Sequence, residues 1–230
     1  DTFDCSHIFN PPDTITLTVI DSGGNSSSCF VTGVPVVDYV PPLPICKNIN
    51  VYLDTNGQAT IFGSDLDNGS TDNCLITSYS ASKDTFTCAE LGLNLITMTV
   101  KDFSNNPNFC ISEVTVLDTV PPIIFCQPRT VFLNASGLAS VTPNQIDDGS
   151  TDNCEIVSLT LDITMFDCFD VGVNSVTLTA TDASGNSSEC NTTVTVVDNI
   201  IPTAVCQNHT AYLDANGQVT LNPLDVDNGS

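Results

Sequence analysis

Three stretches of the chain alternate apolar residues with threonine one for one: Ile15-Thr-Leu17-Thr-Val19, Ile96-Thr-Met98-Thr-Val100 and Val176-Thr-Leu178-Thr-Ala180. A period of two, rich in β-branched residues, predicts strands with one buried face. Each run stops at a turn: Asp21-Ser-Gly-Gly-Asn, Asp102-Phe-Ser-Asn and Asp182-Ala-Ser-Gly-Asn. A second strand follows each turn and carries a cysteine: Cys29, Cys110 and Cys190. In the last of these Cys190 shares parity with Val194 and Val196, so its sulfur faces the core. Asp54-Thr-Asn-Gly and Asp214-Ala-Asn-Gly read as hairpin turns, since Asn-Gly accepts positive φ. Long helical periodicity is missing throughout.

The same elements recur every 80 residues. Asp67-Asn-Gly-Ser-Thr-Asp-Asn-Cys74 returns as Asp147-Asp-Gly-Ser-Thr-Asp-Asn-Cys154, and Asp227-Asn-Gly-Ser230 repeats its first half. Asp38, Asp118 and Asp198 share this offset, as do Cys46, Cys126 and Cys206. A repeat this long is a small domain rather than a solenoid turn. Every unit closes at an aspartate followed by proline, as in Asp38-Tyr-Val-Pro-Pro and Asp118-Thr-Val-Pro-Pro. Proline cannot continue a central strand. The boundaries therefore fall at 1–39 (the last half of a module), 40–119 and 120–199 (complete modules) and 200–230 (the first half of another). About seven short strands in each full unit predict an all-β fold of tandem immunoglobulin-like sandwiches in an elongated array.

Eleven cysteines at recurring positions point to an oxidising, extracellular setting, secreted or at the cell surface. Zinc-type Cys/His spacings are missing. Strand geometry suggests two bridges per full unit: Cys46–Cys110 with Cys74–Cys88, and Cys126–Cys190 with Cys154–Cys168. Four cysteines allow three pairings, so the alternatives stay open. Chain entropy assigns roughly 4 kcal/mol to the long loop and roughly 3 to the short one. Cys5, Cys29 and Cys206 are left over.

The run Thr181-Asp-Ala-Ser-Gly-Asn-Ser-Ser-Glu-Cys-Asn-Thr-Thr-Val-Thr-Val-Val-Asp198 resembles the end of a hyalin-repeat (HYR) domain. Pro121-Pro122 with Cys126 fits the same family, and so do the Thr-Asp-Asn-Cys motifs at Cys74 and Cys154. The resemblance covers essentially the whole chain. It implies immunoglobulin-like extracellular modules, in arrays on bacterial surface or secreted proteins, used for adhesion or spacing and without catalytic residues. One departure is an extra residue between Cys29 and Asp38, which predicts a bulge near Gly33.

Two half-units raise the question of what completes them, because a half sandwich exposes its core and raw strand edges. One reading makes the chain a window on a longer tandem array. The other has copies of the chain pairing head to tail by strand addition, with an interchain Cys29–Cys206 bridge. The two halves together lack a segment equivalent to 71–83 and leave Cys5 unpaired, which favours the window. No basic-then-apolar leader opens the sequence, so the expected N-terminus is mature, trimmed or cut from something longer. No apolar run is long enough to span a membrane.

Charge narrows the chemistry. With 27 acidic and 4 basic residues the net charge is −23, which makes nucleic acid an improbable partner. In a sandwich of this kind Asp38, Asp67, Asp72 and Asp102 gather at the end where the chain enters, and Asp118, Asp147, Asp152 and Asp182 form the matching set. Hard oxygen ligands in that number suit Ca²⁺. The competing explanation is that Asp, Asn, Gly and Ser simply build turns and cap their own backbone. The loop lacks the closing glutamate of an EF-hand. Asn-x-Ser/Thr triplets make Asn25, Asn134, Asn186, Asn191 and Asn208 glycan candidates, with Asn68 and Asn228 poorer ones inside the acidic loops.

Catalysis finds no constellation. His7 and His209 are the only histidines, and His209 takes the place of Ile49 and Arg129 in the other repeats. The acids recur in every unit, whereas an active site needs one tuned pair. The expected function is a non-enzymatic structural element of an extracellular fibre, filament or stalk. Its partners would be flanking repeats or copies of itself, and glycans. An adhesin or carbohydrate-binding array is the alternative, and a spacer in a secreted enzyme a further one. Tryptophan is absent, however, and Tyr52, Phe132 and Tyr212 recur at one position, which suits core or interface packing better than a sugar platform.

Overall fold

A computed structural model of the chain describes residues 2–9 and 14–230. Its contacts divide into two units. Unit 1 comprises Asp1–Pro121 together with Asp152–Glu155 and Asp182–Asn186. Unit 2 comprises Pro122–Thr151, Ile156–Thr181 and Ser187–Ser230.

Unit 1 holds an immunoglobulin-like two-layer sandwich. Its larger sheet has the order β3-β8-β7-β5, formed by β3 (Ile49–Tyr52), β5 (Ile76–Ala81), β7 (Gly92–Asp102) and β8 (Pro107–Leu117). The facing layer pairs β4 (Gln58–Thr60) with β6 (Thr85–Thr87). β7 and β8 are joined by a tight turn and pair antiparallel, with Met98 opposite Cys110. β3 runs parallel to β8. The predicted alternation is what fills the core: Ile96, Met98 and Val100 of β7 and Val114 and Val116 of β8 point inward. They meet Leu53, Ile61, Leu66 and Phe86 from the facing layer and its loops. Burying side chains of this size contributes about 1.5–3 kcal/mol each. The bridge Cys46–Cys110 spans this core with its Cα atoms 5.9 Å apart.

Two further strands, β1 (Thr14–Ile20) and β2 (Ser26–Thr32), form a separate hairpin with Leu17 opposite Cys29. Its apolar residues, including Leu17, Val19 and Phe30, are exposed. Gly33, near the expected bulge, follows the last residue of β2 with φ +67°.

Unit 2 repeats the design. Its sheet has the order β11-β13-β14-β9, from β9 (Arg129–Phe132), β11 (Ile156–Leu161), β13 (Gly172–Asp182) and β14 (Ser187–Val197). β10 (Ala139–Ser140) pairs with β12 (Met165–Phe166) on the other layer. Val176, Leu178, Val194 and Val196 are buried with Leu133, Val141, Ile146 and Phe166. Residues 201–230 carry one helical turn, Pro223–Val226, and a single bridge between Cys206 and Asp227.

The Asp-x-Asn-Gly turns close on themselves, with Asp54 N donating to the Gln58 carbonyl at 2.9 Å and Asp214 N to the Gln218 carbonyl at 2.8 Å, but the first does not join two strands of one sheet. β3 pairs with β8, and β4 with β6, so the strands flanking Asp54–Gly57 belong to different sheets. Only the glycine is left-handed, at φ +70°, and the Asp54 carboxylate caps the turn by accepting from the Asn56 and Gln58 amides at 2.8 and 3.0 Å. Asp214 caps its own turn in the same way, although no strand flanks it. β3 and β9 exist by pairing with β8 and β14, and the equivalent residues 209–212 have no such partner among those described.

Candidate metal centres

The strand alternation that builds the core also delivers carboxylates to its end. Asp102 is in phase with Ile96, Met98 and Val100, and Asp182 is in phase with Val176, Leu178 and Ala180. Both acids are therefore buried, at 1% and 2% exposure. Asp118 continues the inward phase of Val114 and Val116 one step past β8 and is 6% exposed. Asp38, one repeat earlier, is 7% exposed.

Among the described residues two trios of carboxylates result, both in unit 1: Asp38, Asp72 and Asp102, and Asp118, Asp152 and Asp182. Within each trio the oxygens lie within 4.8 Å of one another. The outer oxygens are tied to backbone. Asp102 accepts from the Asn106 amide at 2.8 Å and from its side-chain Nδ2 at 2.6 Å. Asp38 accepts from Val40 N at 2.9 Å, and Asp72 accepts from Cys74 N at 2.9 Å. In the second trio Asp182 accepts from Ser184 N, Asn186 N and Asn186 Nδ2 at 2.8–2.9 Å. Asp118 accepts from Val120 N at 3.0 Å, and Asp152 from Cys154 N at 2.8 Å. Asn106 and Asn186 also donate to the Asp38 and Asp118 carbonyls, at 2.9 and 3.2 Å, which fixes the boundary segments against the turns.

The inner oxygens have no such partner. Asp38 Oδ2 and Asp72 Oδ1 in the first trio, and Asp118 Oδ2 and Asp152 Oδ1 in the second, are buried without a hydrogen bond. A buried oxygen of this kind costs about 1–3 kcal/mol, more when charged. Three carboxylates sharing that space repel as well. An all-oxygen donor set with free lone pairs facing inward is what a hard divalent cation such as Ca²⁺ takes.

Six of the eight sequence candidates therefore converge, and two do not. Asp67 and Asp147 cap their own loops: each accepts from the amide three residues on, Ser70 N at 3.0 Å and Ser150 N at 3.1 Å, and from that serine's hydroxyl. These two follow turn chemistry.

The cysteines correct the sequence reading in part. Cys46–Cys110 and Cys126–Cys190 are bonded. Cys74–Cys88 and Cys154–Cys168 are not; Cys74 bonds Cys5, and Cys88 bonds Cys154. The reason is strand length. The Leu75 carbonyl accepts from Phe103 N at the far end of β7, whereas Cys88 sits just before Gly92 at its start. Eleven extended residues separate those ends by roughly 30 Å, and a disulfide needs Cα atoms within about 7 Å. Cys29, Cys168 and Cys206 are exposed thiols, so Cys168 rather than Cys5 is a leftover. The repeat register held a clue: Cys5 precedes the first alternating strand much as Cys88 and Cys168 precede theirs.

Asn153 was not singled out by sequence, yet it is central. Its Nδ2 donates to Asp118 Oδ1 and to the Asp54 carbonyl, both at 3.1 Å. The remaining candidates are scattered. Asn25, Asn134, Asn191 and Asn208 are exposed, although Asn25 Nδ2 donates to Asp21. Asn186 is half-buried with its Nδ2 committed to Asp182 and Asp118. Tyr52, Phe132 and Tyr212 lie outside the core, at 57, 58 and 82% exposure: Tyr52 and Phe132 occupy the outward phase of their strands beside Val51 and Val131, and Tyr212 lies in a segment that pairs with no strand. His7 sits against Asp4 at 2.9 Å on the surface.

Comparison with known proteins agrees with this repeat architecture. The HYR domain model matches residues 117–196. Residues 117–196 belong to the HYR domain family. Hyalin of Strongylocentrotus purpuratus is 32% identical over 213 residues, covering 84% of this chain and 17% of hyalin. Hyalin of Lytechinus variegatus is 28% identical over 212 residues, covering 84% and 38%. The chain thus spans well under half the length of these relatives. Among solved structures, Sidekick-1 immunoglobulin domains 1–4 share 9% identity at a TM-score of 0.38, covering 78% of this chain and 57% of that one. Human Protocadherin-24 EC1-2 shares 13% identity at a TM-score of 0.38, covering 71% and 100%. HYR-type repeats with four disulfides suit an extracellular repeat protein. No helix among the described residues is long and apolar enough to cross a membrane.

Proposed function

We propose that this HYR chain is a non-enzymatic, load-bearing segment of an extracellular adhesion-type fibre or stalk, and that calcium locks it at two points. The duplicated trio of carboxylates, two buried and one half-buried, each trio with two unpartnered buried oxygens, carries the reading. Each trio draws on a boundary aspartate, a Thr-Asp-Asn-Cys loop and a β-turn, so one cation would bind three segments of the chain at once. Asp38, Asp72 and Asp102 would hold the first ion, and Asp118, Asp152 and Asp182 the second. A bound ion supplies charge neutralisation and rigidity there. The bridges Cys5–Cys74 and Cys88–Cys154 add covalent resistance, since each anchors a Thr-Asp-Asn-Cys loop to a cysteine of the preceding sequence repeat. Closing a loop of 66 residues contributes about 4 kcal/mol by chain entropy. Exposed Asn191 and Asn208 are the acceptor sites for glycan in this scheme, and neighbouring repeats or further copies the partners.

Calorimetric titration of the metal-free protein with Ca²⁺ tests the reading. It predicts two ions per chain, reduced to one by Asp102→Asn and to none when Asp182→Asn is added. Absence of heat, or the same stoichiometry in the double variant, would refute it.

A further inference from the structure

Unit 1 shows a Thr-Asp-Asn-Cys loop seated on the end of a sandwich. The segment 152–155 contributes three contacts there: Cys154 bonds Cys88, Asn153 Nδ2 donates to the Asp54 carbonyl at 3.1 Å, and the same Nδ2 donates to Asp118 Oδ1 at 3.1 Å. The approach is close enough that a Cβ on Gly57 would lie 2.5 Å from the Asn153 carbonyl oxygen and 2.8 Å from Cys88 Sγ.

Unit 2 presents the same receiving surface. Cys168 stands at the position of Cys88, with Sγ 3.8 Å from the Gly137 carbonyl, against 3.9 Å from Cys88 Sγ to the Gly57 carbonyl. The Asn134 carbonyl accepts from Gly137 N at 2.8 Å, as the Asp54 carbonyl accepts from Gly57 N at 2.9 Å. Its second lone pair, which at Asp54 takes Asn153, has no donor among the described residues. Asp198 accepts from Ile200 N at 2.9 Å as Asp118 accepts from Val120 N at 3.0 Å. A Cβ on Gly137 would meet Cys168 Sγ and nothing else within 4 Å, so the space that Asn153 fills at Gly57 is open at Gly137. Cys168 is an exposed thiol, and Phe169 beside it is 97% exposed.

We infer that Cys168, the Asn134–Gly137 turn and Asp198 form a docking site for the Thr-Asp-Asn-Cys loop of another HYR repeat, closed by a disulfide to Cys168. The chain's own two loops are excluded, because Cys74 and Cys154 are already bonded. The incoming asparagine would donate to the Asn134 carbonyl and to Asp198. The two thiols lose two protons and two electrons to a disulfide oxidant of the oxidising compartment, which leaves as a dithiol.

Disulfide mapping of the native, non-reduced protein tests this. The inference predicts that the Cys168 peptide is recovered bonded to a cysteine preceded by Thr-Asp-Asn. Recovery as a free thiol, or bonded to Cys29 or Cys206, would overturn it. A kinetic measurement on the chain itself supplies a second arm. A synthetic Asp-Asn-Gly-Ser-Thr-Asp-Asn-Cys peptide, activated as its nitrothiobenzoate mixed disulfide, is attacked by a thiolate with release of nitrothiobenzoate. Two additional hydrogen bonds should make capture at Cys168 about tenfold faster than with a scrambled peptide. Cys29 and Cys206 should show no preference. Gly137→Asn, which keeps a residue tolerant of φ +72° but fills the approach, should remove the advantage. Equal rates for both peptides at all three thiols would count against the site.

Discussion

Asp118→Asn should change sign with calcium. In the second trio, ligand oxygens within 4.8 Å of one another imply a repulsion of about 3 kcal/mol per pair at an effective dielectric near 20. Asp118 takes part in two of the three pairs. Solvent and salt screening reduce that gross figure, leaving on the order of 1–3 kcal/mol for the two pairs together. Asparagine retains the Oδ1 that accepts from Val120 N and Asn153 Nδ2, and replaces the unpartnered Oδ2 with a donor facing Asp152 and Asp182. In EDTA the variant should therefore melt higher than the unaltered protein, by about 2–12 °C at about 2–4 °C per kcal/mol. In Ca²⁺ the order reverses. The unaltered protein gains about 2.7 kcal/mol at a hundredfold excess over Kd, whereas the variant loses that gain at this site. Thermal unfolding by circular dichroism in EDTA and in Ca²⁺ reads both arms. If Asp118→Asn lowered the melting temperature equally in the two buffers, the carboxylates would be ordinary turn caps and the electrostatic reasoning would fail.

Other consequences are simpler. Removing the Cys88–Cys154 bridge as the paired serine variant should cost about 4 kcal/mol, seen as a lower urea midpoint, and leave Cys46–Cys110 intact on a non-reducing map. Asp67→Ala should destabilise by about 1–2 kcal/mol through loss of the Gly69 and Ser70 cap, yet leave calcium stoichiometry at two, because Asp67 is outside the trio. Glu90 is held down at about 2, from an ordinary 4.5, by a hydrogen bond from Lys83 and then by the Thr87 amide and hydroxyl. Its folded value lies below its unfolded one, so its contribution is complete above pH 4.5 and fades as pH falls towards 2. Glu90→Gln should flatten that part of an acid-unfolding profile measured by fluorescence or circular dichroism.

The strands were legible because their alternation is dictated by a buried face. Ile96, Met98 and Val100 could only be read one way, and the same phase carries Asp102 to the end of the core. The acidic convergence was legible for a related reason: repetition at Asp38, Asp118 and Asp198 marked the boundary residue, and the turns that follow long strands were bound to lie beside it. Asp67 and Asp147 stand outside the two trios, and type alone cannot separate an aspartate that caps its own serine from one that faces inward. The cysteine pairing was partly hidden. Cys74 and Cys88 are near in sequence, but β7 puts them at opposite ends of the sheet, and the competing partner, Cys154, belongs to the following repeat. Asn153 escaped notice because a single asparagine in a turn-forming motif signals only a turn; its two acceptors, Asp54 and Asp118, come from distant parts of the chain. The outward Tyr52 and Phe132 are not core residues, because recurrence at one position marks a shared environment without saying which side of the strand it faces.

The most direct examination of the central claim is a crystal grown in Ca²⁺ and measured for anomalous scattering. The account predicts two peaks, one bounded by Asp38, Asp72 and Asp102 and one by Asp118, Asp152 and Asp182, at oxygen distances of about 2.3–2.6 Å. Anomalous maps flat at both positions, with Asp72 and Asp152 turned out to solvent, would contradict it.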